Sequence, residues 1–109
     1  MSCLFCQIIN KEVPAEIIYE DEKFLVIKDI KPAAPIHFLA IPKKHINSAN
    51  DLTETDKDLI GTLFLVAKKV VKDAGVSENG YRLTFNTGQD AGQTIPHLHL
   101  HILGGKTLL

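Results

Sequence analysis

Three histidines at alternate positions, in the run His97-Leu98-His99-Leu100-His101-Ile102-Leu103, have the types and spacing that most directly suggest chemistry in this chain of 109 residues. Extended backbone sends alternate side chains to opposite faces, so the three imidazoles share one face and Leu98, Leu100 and Ile102 the other. Successive rings would stand about 6.8 Å apart, two steps of ~3.4 Å. Such a row can bind a metal ion, move protons or attack an electrophile, and two histidines at i, i+2 can chelate one zinc. The loop before it, Asn86 to Thr94, carries Gly88 and Gly92, where backbone can approach a ligand closely. Asn86, Gln93 and Thr94 add neutral donors, which beside imidazoles suit an anion such as a phosphate. The loop itself holds no Gly-Lys-Ser/Thr and no helix follows it, so it is not a P-loop. The remaining candidates are His37, His45 and the pair Cys3 and Cys6. That cysteine spacing reads as a redox C-x-x-C, as half of a metal site, or as two small buried hydrophobes.

The elements that must position these groups are legible from periodicity. Apolar residues at 4, 5, 8 and 9 fit two turns of helix over Cys3 to Asn10. Ile17 to Tyr19 and Phe24 to Ile27 read as strands, the second without alternation and therefore buried on both faces. Pro32 and Pro35 bracket a loop, Ile36 to Ile41 is a third strand, and Pro42 ends it. Thr53 with Asp56 resembles a capping box; apolar residues then recur at helical period from 59 to 74, and Gly75 sits at the C′ position. The spacing predicts a helix near 54–74, about 30 Å long. Asn79-Gly80 marks a turn, Tyr81 to Phe85 a fourth strand and His97 to Leu103 a fifth, ended by Gly104-Gly105. Leu98, Leu100 and Ile102 are expected beneath the long helix. Short connections favour antiparallel pairing, and helices on an antiparallel sheet give an α+β class. The length suits a single domain, 1–109.

Composition narrows the function classes. The net charge is −1, from 12 basic and 13 acidic residues, so no basic field is available to hold a nucleic-acid polymer. No apolar run approaches the ~18 residues of a membrane span. The first six residues show no positive n-region and no long h-region, so no signal peptide is expected and a cytoplasmic location is.

The triad strand resembles the signature of the histidine triad family. The likeness extends to Asp29-Ile30-Lys31-Pro32-Ala33-Ala34-Pro35-Ile36-His37-Phe38, to Ile41-Pro42-Lys43-Lys44-His45-Ile46, to Gly80-Tyr81-Arg82 and to Gly92-Gln93-Thr94, in order and over nearly the whole chain. Gly104-Gly105 is similar to the nucleotide-binding branch of that family; the dinucleoside polyphosphate hydrolase branch usually has Pro-Arg there.

The resemblance implies a half-barrel of five antiparallel strands with one long and one short helix, and a homodimer whose sheets join into ten strands. It implies hydrolysis of purine nucleoside phosphoramidates to a nucleoside monophosphate and an amine. Hydrolysis of dinucleoside polyphosphates and a nucleotide-binding adaptor role are the alternatives. Under the resemblance His99 is the nucleophile, forming a nucleotidyl-histidine, and the His97 carbonyl fixes its tautomer. His101 and His37 meet the phosphate region and help protonate the leaving amine. Asn86, Gln93 and Thr94 hold phosphate oxygens, Asp29 the ribose hydroxyls, and Ile17, Ile18 and Ile27 the base. No cofactor is implied for the chemistry. Some relatives bind a structural zinc with Cys3, Cys6, His45 and His97 at the matching positions, a good tetrahedral set. Few residues follow Gly105, whereas many relatives carry a longer aromatic-containing tail that reaches the partner's site, so the resemblance does not carry leaving-group preference across.

Overall fold

The apolar run Phe24-Leu25-Val26-Ile27 is buried on both faces, and the layers of the molecule follow from it. The computed structural model describes residues 3–109; Met1 and Ser2, which open the segment read as lacking a secretory signal, lie outside the described residues. In chain order the elements are α1 (Leu4–Ile9), β1 (Ile17–Glu20), β2 (Phe24–Lys28), β3 (Ile36–Pro42), α2 (Lys57–Asp73), β4 (Tyr81–Thr84) and β5 (Leu100–Gly104). Single 3-10 turns stand at Ala49–Asp51, Glu54–Asp56 and Gln89–Ala91. The five strands form one antiparallel sheet in the order β1-β2-β3-β5-β4. Among the described residues no helix is long and apolar enough to cross a membrane.

The alternation of each strand divides the core in two. Phe24 and Val26, Phe38 and Ala40, and Leu100 and Ile102 face α2, packing with Leu63, Val66, Ala67, Val70 and Val71. Leu25, Ile27, Leu39 and Ile41 face the other way and pack with Phe5 and Ile8 of α1. Each fully buried large apolar side chain is worth roughly 1.5–3 kcal/mol. α2 buries five apolar residues and α1 two, so the α2 face supplies most of the stability. The α1 face is left with room for a site.

β5 begins at Leu100, three residues later than the alternation predicts. The backbone before it is committed elsewhere: His97 N–H donates to Ile95 O at 2.8 Å and Leu98 N–H to Ile46 O at 2.6 Å. Leu98 is buried, as are Leu100 and Ile102, but only the last two join the core beneath α2.

The ends of α2 follow the sequence signals. Thr53 N–H donates to Asp56 Oδ2 at 2.9 Å, and the 3-10 turn Glu54–Asp56 leads into the helix proper at Lys57. At the far end Val76 N–H reaches Val71 O and Gly75 N–H reaches Lys72 O, both at 3.1 Å, closing a Schellman motif with Gly75 at φ +80.

Two glycine-to-alanine substitutions should therefore have opposite signs. A Cβ at Gly61, inside α2, or at Gly75 meets nothing within 4 Å, so neither change is limited by packing. Gly61→Ala is expected to stabilise by ~0.5–1 kcal/mol through helix propensity. Gly75→Ala is expected to destabilise by ~1–2 kcal/mol through its left-handed backbone. Denaturant midpoints at constant slope read both; shifts of the same sign would refute the cap assignment.

Candidate active site

The pairing of β3 with β5 brings the first catalytic candidates together. Leu39 stands opposite His101 and His37 opposite Leu103, so His37 and His101 are diagonal neighbours on the α1 face. His37 Nε2 and His101 Nδ1 are 2.9 Å apart. The loop between β2 and β3 folds back onto this pair. Asp29 N–H donates to His37 O at 3.0 Å, Lys31 N–H to Asp29 Oδ1 at 2.8 Å, and Ala33 N–H to His37 Nδ1 at 3.0 Å. Asp29 Oδ2 lies 3.4 Å from His37 Nε2.

His99 has one ring nitrogen committed. Its Nδ1 lies 2.7 Å from His97 O. A carbonyl only accepts, so Nδ1 carries the proton and Nε2 keeps its lone pair. Among the described residues no hydrogen bond engages that nitrogen, and no buried side-chain nitrogen or oxygen lacks a partner; Nε2 of His99, which lines the cavity, is therefore open. The ring sits edge-on to Phe5 at 5.0 Å between centroids and 5.0 Å from the ring of His101. Burial holds His99 below the ordinary 6.5, outweighing the opposing pull of the His97 carbonyl and of Asp29. The neutral imidazole that a nucleophile requires is thus the resting form.

A cavity of about 340 Å³ lies over these groups, within the size of small-ligand sites. His99, His101, Asp29, Asn86 and Thr94 line its polar side. Ile27 lines the apolar side, as expected, together with Leu4, Phe5 and Ile8 of α1. Ile17 and Ile18 are not part of it: Ile18 packs against the core beneath α2, and Ile17 is 42% exposed on the edge strand β1. Gln93 also stays out. Its Nε2 donates to Asn47 O at 2.7 Å and Ile95 O at 3.1 Å, and its Oε1 accepts from Gly88 N–H at 2.9 Å, so the side chain braces the loop that Thr94 and Asn86 hang from. The α1 residues were missed because a short amphipathic helix reads as packing alone. The sequence carries no signal for them beyond the apolar spacing at 4, 5, 8 and 9; in the structure Leu4 is apolar yet 42% exposed beside the cavity.

A second cluster lies behind the first. The ligand atoms of Cys3, Cys6, His45 and His97 are all within 4.8 Å of one another, close enough to hold a metal ion. The thiols lie 3.7 and 3.2 Å from His45 Nδ1 and 3.4 and 3.6 Å from His97 Nδ1. Tetrahedral zinc, with sulfur at ~2.3 Å and nitrogen at ~2.0–2.1 Å, has sulfur–nitrogen edges of about 3.6 Å, so the four distances straddle the required value. The outer nitrogens fit too. His97 Nε2 donates to Pro42 O at 2.8 Å and His45 Nε2 to Asn47 Oδ1 at 2.6 Å, which leaves both Nδ1 atoms bare toward the thiols, the usual support for a ligating imidazole. Asp29, His37 and His101 also fall within 4.8 Å of one another. There the 2.9 Å contact places a proton between nitrogens that a metal would need bare.

The arrangement has counterparts among known proteins. A family model described as scavenger mRNA decapping enzyme, C-terminal binding, matches residues 2–107. An uncharacterized HIT-like protein of Synechocystis is 48% identical over 103 residues, covering 94% of this chain and 90% of its own. The crystal structure of a HIT family hydrolase from Legionella pneumophila superposes with a TM-score of 0.98 at 45% identity, over 99% of this chain and 96% of that one. A histidine triad nucleotide-binding protein from Candida albicans is similar at a TM-score of 0.84 and 34% identity, over 93% of this chain and 73% of the other.

The partly buried His101 should give stability a definite pH dependence. Burial first, then the neighbouring His99 and His37, hold His101 down to about 4, against the upward pull of Asp29. Between 6.5 and about 4 the unfolded chain binds the extra proton and the folded one does not, so stability rises with pH across that window. The melting temperature should fall as pH is lowered from 6.5 toward 4, and less steeply in His101→Gln. Parallel curves for the two proteins would rule out His101 as a source of the slope.

Proposed function

The chain belongs to the histidine triad family, and on that premise we propose that it is a purine nucleoside phosphoramidase, cleaving nucleoside 5′-phosphoramidates to a nucleoside monophosphate and an amine. The observation that carries this reading is His99, neutral, with Nδ1–H tied to the His97 carbonyl and Nε2 bare toward a cavity that is polar on one side and apolar on the other. A planar base suits the apolar side, and Asp29 can accept from two vicinal ribose hydroxyls. In that pose the phosphorus would lie near the triad, with Asn86 and Thr94, which line the cavity, as donors to its oxygens. His99 Nε2 bonds to phosphorus as the P–N bond breaks, and the leaving nitrogen keeps the electron pair and takes one proton. Water then attacks the nucleotidyl-histidine: its oxygen bonds to phosphorus as the bond from phosphorus to His99 Nε2 breaks, the electron pair returns to Nε2, and one proton is released, which returns the site to its starting state. We assign the handling of that proton to His101 and His37.

Adenosine 5′-phosphoramidate should yield AMP, with a nucleotidyl adduct trapped on His99 by rapid quenching and mass spectrometry. His99→Ala should lower kcat by at least about a thousandfold, as loss of a covalent nucleophile does. Faster turnover of diadenosine tri- or tetraphosphate would displace the substrate reading, and turnover with no histidine adduct would displace the mechanism.

Two further assignments accompany this reading. Cys3, Cys6, His45 and His97 suit a structural zinc that ties α1 to the sheet and supplies no chemistry. A second copy suits the β4 edge. β1, at the other edge, has a register irregularity between Ile17 and Tyr19, which discourages pairing. Phe64 of α2 packs edge-on to Phe85, the residue after β4, while staying 40% exposed, and its neighbour on α2, Leu65, is 65% exposed. Two such edges would join into ten strands. Sedimentation and metal analysis on one sample should give twice the 12.1 kDa chain mass and one zinc per chain. Cys6→Ser should lose the zinc and keep the dimer, and Leu65→Asp should do the reverse. A monomeric or zinc-free wild type would defeat the corresponding assignment.

A further inference from the structure

Three hydrogen bonds around the triad, read together, assign the ring protons of His37, His99 and His101, and main-chain groups are the source of that order. Ala33 N–H donates to His37 Nδ1 at 3.0 Å. A ring nitrogen that accepts carries no proton, so neutral His37 bears its hydrogen on Nε2. That Nε2–H faces His101 Nδ1 at 2.9 Å and, less closely, Asp29 Oδ2 at 3.4 Å. His101 therefore accepts at Nδ1 and bears its own hydrogen on Nε2. In His99, 5.0 Å away between ring centroids, the order is reversed: Nδ1–H donates to His97 O and Nε2 is bare. Two adjacent rings lining one cavity thus hold opposite tautomers. One offers a lone pair and the other a proton.

We infer that the backbone N–H of Ala33 is a positioning group that sets the direction of the His37–His101 hydrogen bond and so makes His101 a hydrogen-bond donor toward the cavity. The loop is built to hold that N–H in place. Asp29 N–H is tied to His37 O and Lys31 N–H to Asp29 Oδ1, so the chain turns back on the strand that carries His37. Pro32 and Pro35 flank Ala33 and Ala34 and restrict the backbone on both sides. Without the Ala33 donor, only the longer Asp29 contact at 3.4 Å would favour the proton on Nε2, and Nδ1 of His37 could carry it in part of the population. His101 would then present a lone pair to the cavity in part of the population, next to the lone pair of His99. An electron-rich phosphoryl oxygen would meet two acceptors instead of an acceptor and a donor. What the donor meets rests on the phosphoramidase reading above; the direction of the relay does not.

Long-range proton–nitrogen correlation spectra of the free protein near neutral pH test this directly, because unprotonated ring nitrogens resonate far downfield of protonated ones. Wild type should show Nδ1 unprotonated in His37 and His101, and Nε2 unprotonated in His99. Ala33→Pro, which removes the N–H, should replace the single-tautomer shifts of His37 and His101 by averaged ones and leave His99 unchanged. Ala33→Gly, which keeps the N–H, should reproduce wild type. His37→Ala, which cuts the relay but leaves the loop amide, should average His101 alone. Protonated Nδ1 in wild-type His101 would overturn the inference whether or not the proline variant folds. So would an unaltered signature in folded Ala33→Pro. Neither result depends on which phosphate ester or amide the protein hydrolyses.

Discussion

The imidazole of His97 is fully buried, and its residue is committed at three points. Nε2 is bonded to Pro42 O at the end of β3, Nδ1 faces the two thiols of the N-terminal segment, and the main-chain oxygen holds Nδ1–H of His99. A buried polar ring survives only when its nitrogens are satisfied. The requirement that stabilises His97 thus fixes three things at once: where β3 stops, where α1 sits, and which nitrogen of His99 is bare. The catalytic candidate draws its geometry from a neighbour whose ring never reaches the cavity.

The sheet makes this affordable by separating its tasks. One face is closed by α2, whose apolar stripe packs against Phe24, Val26, Phe38, Ala40, Leu100 and Ile102. The opposite face buries Leu25, Ile27, Leu39 and Ile41 under a helix of six residues and leaves the rest open. β5 shows the division in miniature. Leu100 and Ile102 anchor it to the α2 side, while His101 between them is only partly buried and lines the cavity.

Much of this was legible in the sequence because it rests on period and punctuation. The long helix, its glycine stop, the doubly buried β2 and the alternation that puts His101 opposite the core residues are local properties of the chain. The clustering of Cys3 and Cys6 with His45 and His97, from residues up to 94 positions apart, came from the family resemblance, because spacing alone left three readings of the cysteines open. Three things were not legible, because they depend on particular partners, near and far along the chain, that period and punctuation do not reveal. His97 and Leu98 leave the strand because their N–H groups bond to Ile95 and Ile46 instead of a ladder partner. Gln93 looked like a phosphate donor, but its amide is consumed by Asn47, Gly88 and Ile95. Of the apolar wall expected from Ile17, Ile18 and Ile27, only Ile27 lines the cavity, and α1 supplies Leu4, Phe5 and Ile8, since periodicity gives the face of an element but not the depth at which that face stops.

α1 has a consequence of its own. A helix of six residues cannot sustain itself in water, where nucleation outweighs so few hydrogen bonds. Its order must come from what it touches: His45 and His97 through the thiols at its start, and the cavity through Leu4, Phe5 and Ile8. An ion at the first contact and a ligand at the second would then draw on the same ordering free energy. By thermodynamic reciprocity, whatever factor one gives to the other's affinity it receives in return. Two sites that share no ligand atom would in this way become mutual effectors through one turn and a half of helix.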